Sequence, residues 1–329
     1  MSTFKHAVIA VTYKCNSRCR MCNIWKIDSH SDLPPSAFRN LPEKIEEVNI
    51  TGGEPFLRDD LVEIIDVIHE RSYPDKIVIP TNAFLTDRVL RICKQIMDKP
   101  YRDKVTIAVS IDGIGNVHDE IRGIPGGFDM AMATVKGLQG MGFPNIGFGF
   151  TFMAGNEDEY EKVYQLTLDL GINFGVSIAH NSDNYFSTAE NKPIDTGKLE
   201  AALEKTISDK IGSMRKNELG KCYYFHGMIE FAKKKEMILP CNALHGSFFI
   251  DPAGNLYPCN ILTDSIGNIK EQELFAIWNS EAADEARKKV AHCPEKCWMV
   301  CTAKPAIKKH WIRAGMWIMR EKFKKLFRI

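Results

Sequence analysis

The 329 residues predict an α/β fold, a parallel-sheet domain followed by a smaller cysteine-rich module. Two observations carry this. Short β-rich runs alternate with longer amphipathic stretches up to about residue 182, an order that calls for parallel strands joined by right-handed crossovers. Beyond it the alternation stops, and two helical stretches lead into a segment rich in cysteine. A chain this long buries a large core, and it carries no low-complexity tract or solenoid repeat.

The strand candidates are "HAVIAVT" (6–12), "EEVNIT" (46–51), "KIVIPT" (76–81), "VTIAVSI" (105–111), "NIGFGFTFM" (145–153) and "NFGVSIA" (173–179). Between them, "RDDLVEIIDVIHERS" sets Leu61, Ile64, Ile65 and Ile68 on one helical face, with Asp59 and Asp60 at the favourable N-terminus. "LTDRVLRICKQIMD" offers Thr86 as N-cap, and "FDMAMATVKGLQGMG" closes on Gly142, a natural stop. A doubly wound sheet and an incomplete (β/α) barrel both satisfy this order. In either, ligands gather at the carboxyl ends of the strands, and each polar cluster of the first half does follow a strand.

In the second half, "TGKLEAALEKTISDKIGSMRK" and "YYFHGMIEFAKKKEM" read as helices, and "SFFIDPAGNLYPC" as two β runs around a turn. The expected units are residues 1–220, 221–305 and a tail, 306–329. The opening apolar run "AVIAV" is too short for a signal-peptide core, so the expected compartment is the cytoplasm. Thiols stay reduced there, and ten cysteines then point to metal or redox chemistry rather than disulfides.

"CNSRCRMC" (15–22) places Cys15, Cys19 and Cys22 directly after the first strand. Such soft ligands suit zinc or iron–sulfur. Structural zinc wants a closed set of four, so three thiols on one tight loop leave a coordination position for something else. A zinc site completed by a distant residue, or three unrelated thiols, are the alternatives. One strand later, "TGGEP" puts Gly52, Gly53, Glu54 and Pro55 at a strand end, where glycines admit close approach and a carboxylate suits an ammonium group.

Together these two motifs resemble the radical S-adenosylmethionine (radical SAM) superfamily. The resemblance implies a partial (β/α)6 TIM-like barrel and a [4Fe-4S] cluster held by Cys15, Cys19 and Cys22. S-adenosylmethionine would complete the open iron through its amino and carboxylate groups. It further implies an external electron donor, such as flavodoxin or ferredoxin, and reductive cleavage of the sulfonium to a 5′-deoxyadenosyl radical that takes a hydrogen from substrate. Carried over residue by residue, Met21 lies near the adenine or anchors the loop, Gly53 and Glu54 meet the methionyl amino group, and Gly52 belongs to the same cofactor-binding turn. Thr81 and Asn82 line the site. "VSIDGIGNVHDEIRG" resembles peptide-modifying and sulfatase-maturating branches, which implies that Ser110 and Arg122 bind the cofactor with Asp112 nearby. The other reading of Arg122 is an ion pair with Asp119 or Glu120. His118 reads as structural. His180 is a weak acid–base candidate with a core histidine as alternative, and Cys222 is a buried thiol, a ligand or a hydrogen donor.

"CNALHGSFFIDPAGNLYPC" and "CPEKCWMVC" hold Cys241, Cys259, Cys293, Cys297 and Cys301. Their arrangement resembles the twitch and SPASM auxiliary-cluster modules. The full SPASM pattern has seven cysteines against five here, so one auxiliary [4Fe-4S] cluster is expected, with a spare thiol such as Cys293. If "CPEKCWMVC" is helical, its cysteines share a face. A zinc knot is the alternative.

From Lys304 onward the chain carries nine Lys/Arg and one Glu, against a body of net −7. "IKKHWIRAGMWIMREKFKKLFRI" reads as an amphipathic helix with Ile312, Met316, Met319, Phe323 and Phe327 in one stripe. An anionic membrane surface, packing on the barrel, and an acidic partner or nucleic acid all fit it, nucleic acid least. The expected function is a radical SAM enzyme acting on an unidentified peptide, carbohydrate or other small molecule. A zinc-binding interaction protein and an electron-transfer protein without cofactor cleavage are the alternatives.

Overall fold

The computed structural model describes residues 4–28, 32–188 and 190–327. Its first half is six strands, β1 (Phe4–Thr12), β2 (Ile45–Gly52), β3 (Lys76–Thr81), β4 (Val105–Ser110), β5 (Ile146–Phe152) and β6 (Asn173–Ile178). Each lies within two residues of its expected bounds. All six pair in parallel, in chain order. That order decides between the two architectures. A doubly wound sheet reverses direction at a switch point, whereas this one adds every strand on the same side, as a barrel does. The sheet stays open, with β6 at one edge.

The connecting helices are α1 (Leu61–Ser72), α2 (Thr86–Met97), α3 (Asn116–Arg122), α4 (Gly127–Gly140) and α5 (Tyr160–Asp169). Leu61, Ile64, Ile65 and Ile68 are buried, as their spacing requires. One N-terminal detail differs from expectation. Thr86 is the first residue of α2 rather than its cap, and its hydroxyl donates to the Met130 carbonyl at 3.2 Å. Asp59 and Asp60 do stand at the start of α1, as expected, with the Asp60 carboxylate held by the fork of Arg58 at 2.7 and 2.6 Å. Past α4, Gly142 takes φ 71° and the Phe143 N–H closes on the Leu138 carbonyl at 3.0 Å.

α6 (Thr196–Lys210) starts on Asp195, which accepts from Gly197 N and Lys198 N. α7 (Lys216–Lys234) follows, so the expected division at residue 220 falls inside a helix. β7 (Ser247–Ile250) then pairs in parallel with β1, on the side away from β2. β8 (Asn255–Tyr257) and β9 (Gly267–Asn268) add antiparallel, giving one continuous nine-stranded sheet. β1 lies between two parallel neighbours and is buried at nearly every position for that reason. α8 (Leu274–Trp278), α9 (Glu281–Ala291), α10 (Val300–Lys309) and α11 (Trp311–Phe327) complete the chain. The stretch Cys293–Met299 is not helical, against the one-face expectation: Pro294 lacks an amide hydrogen, and only Cys301 stands on a helix, α10.

The C-terminal segment is anchored to α7 by Trp298. Its ring stacks near Tyr224, and its indole nitrogen donates to the Tyr224 carbonyl at 2.8 Å. Gly227 makes room, since a Cβ there would lie 2.2 Å from that ring. Gly227→Ala gains about 1 kcal/mol of helix propensity but overpacks a buried ring at about 1–3 kcal/mol. The expected net result is a destabilised protein, read as a lower urea midpoint at unchanged slope.

Two core histidines set an acid limit. Burial lowers His6 to about 4 and His118 to about 3. His118 Nδ1 accepts the Asp112 N–H at 3.3 Å, a bond that protonation would break. Because both native pKa values lie below the ordinary one, the stability these two residues contribute is complete above pH 6.5 and is lost as the unfolded chain takes up protons below it. Each contributes a loss of about 1.4 kcal/mol per pH unit in that window. The share of His118 is the difference between wild type and His118→Asn in how far the urea midpoint of the apo protein moves from pH 7 to pH 5; the variant should lose less.

Candidate functional site

The cysteine loop leaves β1 at Thr12 and runs without regular structure to Asn23. Neighbouring strand ends hold it by its backbone. The Gly53 N–H donates to the Thr12 carbonyl at 2.8 Å and the Glu54 N–H to the Lys14 carbonyl at 2.9 Å. Contact this close requires glycine: a Cβ at Gly52 would lie 2.1 Å from the Thr12 oxygen, and one at Gly53 2.2 Å from the Lys14 oxygen. The sequence ties these glycines to ligand approach; their first duty is to let the loop lie on β2. On the other side, Arg18 N and Arg20 N donate to the carbonyls of Arg122 and Ile121, both at 2.9 Å.

Glu54 is buried beneath the loop. Its carboxylate accepts from the Thr81 hydroxyl (2.8 Å), the Asn82 N–H (2.8 Å) and the Phe56 N–H (3.2 Å). Burial nevertheless pushes the group up to about 7, against these donors. The Asn82 amide nitrogen donates to Asn16 Oδ1 at 2.7 Å, so the "PTN" end of β3 also braces the cysteine loop.

Arg122 closes the site from the end of α3. Its guanidinium lies 2.5 Å from Asp112 Oδ2, not against Asp119 or Glu120. Asp119 instead accepts from Gly126 N and Phe128 N. Burial pushes the Asp112 carboxyl up and the guanidinium opposes it, so each group depends on the other. A second guanidinium nitrogen donates to Cys19 Sγ at 3.6 Å, and Nε is buried with no protein partner. The Ser17 N–H donates to Cys15 Sγ at 3.4 Å. Ser17 Oγ, 3.1 Å from Cys19 Sγ, gives its own proton to the Arg122 carbonyl at 2.9 Å.

These residues line a cavity of about 310 Å³. Cys15, Cys19, Cys22, Met21, Gly52, Gly53, Glu54, Thr81, Asn82, Ser110 and Arg122 all reach it. Asp112 does not; it stands behind Arg122. His180 lines the wall with Nε2 buried and unpaired, and burial together with Lys235 lowers it to about 4. Cys222 is fully buried on α7 and is absent from the cavity, since its helical position turns it into the core.

Sequence reasoning missed several cavity residues. Asn49, Thr51, Thr151 and Ser177 are polar positions that alternate with apolar ones along their strands, a period-two signal that was legible. Tyr185 was not, because it arrives on a loop; its hydroxyl lies 2.8 Å from Thr51 Oγ1 and donates to the Gly52 carbonyl at 3.1 Å. Asn260 and Met299 come from the C-terminal segment, as does Cys301.

Cys301 connects the two cysteine groups, lining this cavity while lying close enough to Cys241 and Cys259 to feel their charge. Cys297 feels Cys241, Cys259, Cys293 and Cys301. Burial pushes Cys15 up to about 12, Cys22 to about 11, Cys259 to about 11 and Cys301 to about 12. Buried thiols of this kind become thiolates only when a metal compensates their charge. The Cys15–Cys22 set, with N–H donors aimed at sulfur and the Arg122 side chain at the wall of the same cavity, fits a three-thiolate cluster beside an acceptor-bearing ligand.

The profile of the radical SAM superfamily matches residues 9–167, and that of the SPASM iron-sulfur cluster-binding domain matches 241–302. The chain belongs to the radical SAM superfamily. Its two domains bring S-adenosylmethionine and [4Fe-4S] clusters as cofactors, and it is an enzyme. The SPASM match replaces the zinc-knot alternative for the second cysteine group.

Among curated relatives, an AdoMet-dependent heme synthase of Methanosarcina barkeri is 25% identical over 305 residues, covering 84% of this chain and 82% of that one. A pre-heme d1 synthase of Dinoroseobacter shibae is 27% identical, covering 49% of this chain and 40% of that one. A GTP 3′,8-cyclase of Alkaliphilus oremlandii is 30% identical, with 49% and 52% covered. For these last two the chain spans about half of the relative's length or less. Among solved structures, Streptococcus suis SuiB bound to S-adenosylmethionine superposes with a TM-score of 0.64 at 18% identity, over 85% of this chain and 66% of that one. Native anSMEcpe with bound AdoMet and the Cp18Cys peptide gives 0.63 at 12%, over 96% and 99%. At such identities the likeness is one of fold, and the radical SAM sheet with its C-terminal SPASM segment is that fold.

Proposed function

We propose that this radical SAM enzyme uses Cys15, Cys19 and Cys22 to hold the cluster that binds S-adenosylmethionine, and uses the cavity above it to present a substrate hydrogen. When bound, cluster and cofactor supply reductive cleavage of the sulfonium to a 5′-deoxyadenosyl radical, with the electron coming from a donor such as flavodoxin or ferredoxin. The supporting observation is the three-thiol loop at the wall of a cavity lined by Glu54, Asn82, Ser110 and Arg122.

The chain's own residues then have distinct tasks. The backbone edges of Gly52 and Gly53, with Thr81 and Asn82 beside them, receive the methionyl end. Arg122, at the cavity wall, turns its guanidinium toward the cofactor, and Asp112 fixes its orientation. Met21, buried against Ile121 and Met153, keeps water from the adenine side. His180 stays neutral at physiological pH and acts as a hydrogen-bonding wall rather than an acid. Cys241, Cys259, Cys297 and Cys301 hold the auxiliary cluster. Cys293, whose thiol donates to the Glu295 carbonyl at 3.7 Å, is the spare.

The cavity walls also restrict the substrate. Glu54 and Arg122 are the charged side chains that line it, and both are already engaged by Thr81, Asn82 and Asp112. Free cations for a polycarboxylate or triphosphate are lacking among the described lining residues, whereas Asn49, Thr51, Thr151, Ser177 and Asn260 offer neutral hydrogen bonds. This lining supports a neutral, polar substrate group, as in a peptide or sugar. The test is anaerobic reconstitution with iron and sulfide, reduction by dithionite, and detection of 5′-deoxyadenosine from S-adenosylmethionine. No release from an iron-replete protein would overturn the reading. Deuterium transfer into 5′-deoxyadenosine from labelled peptide or sugar would identify the substrate.

A further inference from the structure

The last helix has two apolar faces. One is used inside the protein: Ala314 is buried, and Trp317 stacks on His226 at 4.6 Å and meets Tyr223 edge-on at 5.5 Å, both on α7. Lys322 and Lys325 tie the same side down, donating to the carbonyls of Ser213 at 2.8 Å and Ser208 at 2.5 Å. With 3.6 residues per turn, the opposite side carries Ile312, Met316, Met319, Phe323, Leu326 and Phe327. These six side chains are each 55–76% exposed, and they form a continuous stripe about 22 Å long.

Scattered apolar side chains on a surface need no explanation; an unbroken stripe on the face turned away from the protein does. Its charge surroundings say what covers it. Arg313 and Arg320 stand at its edge, exposed and without an ion pair among the described residues, while Lys304 and Lys308 are tied to Glu47 and Glu46. From Lys304 onward the chain is +8, on a body of −7. Pairing two such faces from two copies would bring two strongly basic tails together. An anionic surface meets both the stripe and its rim.

We propose that the outward face of α11 docks this enzyme on an anionic lipid bilayer, with the helix lying in the plane of the interface. No helix among the described residues is long and apolar enough to cross a membrane, so the contact is a peripheral one. α7 holds the helix from the water side, so the face is formed before it meets lipid and no ordering cost falls on the last step. This inference does not rest on the catalytic reading, because it concerns a surface that the cavity does not include.

The test uses the full chain and flotation with vesicles, either of phosphatidylcholine alone or with about one third phosphatidylglycerol. Binding to the anionic vesicles should exceed binding to the neutral ones by about tenfold or more, and it should weaken as salt rises. Met316→Glu/Phe323→Glu, at exposed positions, should reduce anionic binding by about tenfold or more with an unchanged circular dichroism spectrum. Sedimentation velocity runs alongside. Equal binding to both vesicles, no binding, or full binding by the double variant would each overturn the proposal. So would a dimer that the double variant abolishes in the absence of lipid affinity. Cofactor cleavage is scored separately, so a negative result here leaves the catalytic reading standing.

Discussion

Cys19→Ala is expected to abolish 5′-deoxyadenosine release and to lower bound iron from about eight to about four per chain. Two thiolates on a loop cannot retain a cluster whose remaining position is meant for a small molecule. The auxiliary site should keep its iron, because Cys241, Cys259 and Cys297 come from elements after α7 and none of them belongs to the loop. The fold should survive as well. Cys19 is half-buried and contacts Ser17, and the loop's position depends on backbone bonds to Arg122, Ile121, Gly53 and Glu54 that alanine leaves intact. Iron quantitation and the electron paramagnetic resonance spectrum of the reduced variant measure the outcome. Loss of all iron would mean that the two cysteine groups share one site. That is a real contrast here, because Cys301 of the second group lines the cavity of the first.

The parts of this site legible in the sequence were those encoded by local pattern. Strand alternation located all six parallel strands, and the thiol spacing located the loop. Three kinds of information were not local. The purpose of Gly52 and Gly53 is set by the Thr12 and Lys14 carbonyls some forty residues away, and no spacing rule reveals a contact at 2.1 or 2.2 Å. Tyr185 and Asn260 reach the cavity from loops, where neither period 2 nor 3.6 applies. The addition of β7 to the far side of β1 depends on which sheet edge is free. A hairpin signal is silent on that, so the cysteine-rich segment read as a separate module although its first strand extends the main sheet. The cysteines of Cys293–Met299 show the reverse error. Their i, i+4, i+8 spacing allowed a helix with one cysteine face, a condition that Cys293–Met299 does not meet, Pro294 lying within it.

Arg122→Met is expected to destabilise the apo protein by about 3–5 kcal/mol, because it strands the Asp112 carboxylate in the interior. Asp112 is wholly buried; it retains only the Thr151 N–H, at 2.8 Å, once the guanidinium at 2.5 Å is gone. Such a carboxyl takes up a proton well above its unfolded value near 3.9, so the deficit relative to wild type should be largest at neutral pH and shrink toward pH 4. Asp112→Asn combined with Arg122→Met removes the stranded charge and should recover most of the loss; equal loss in single and double variants would show that the pair is not its cause. The cluster offers an independent readout. Arg122 also donates to Cys19 Sγ, and loss of a cationic donor at a cluster sulfur leaves the reduced, more negative state less stabilised. The double variant should therefore still load iron at Cys15, Cys19 and Cys22 while its midpoint potential moves to a more negative value. A purely structural role for Arg122 would restore stability in the double variant with the potential unmoved, and potentiometry separates the two.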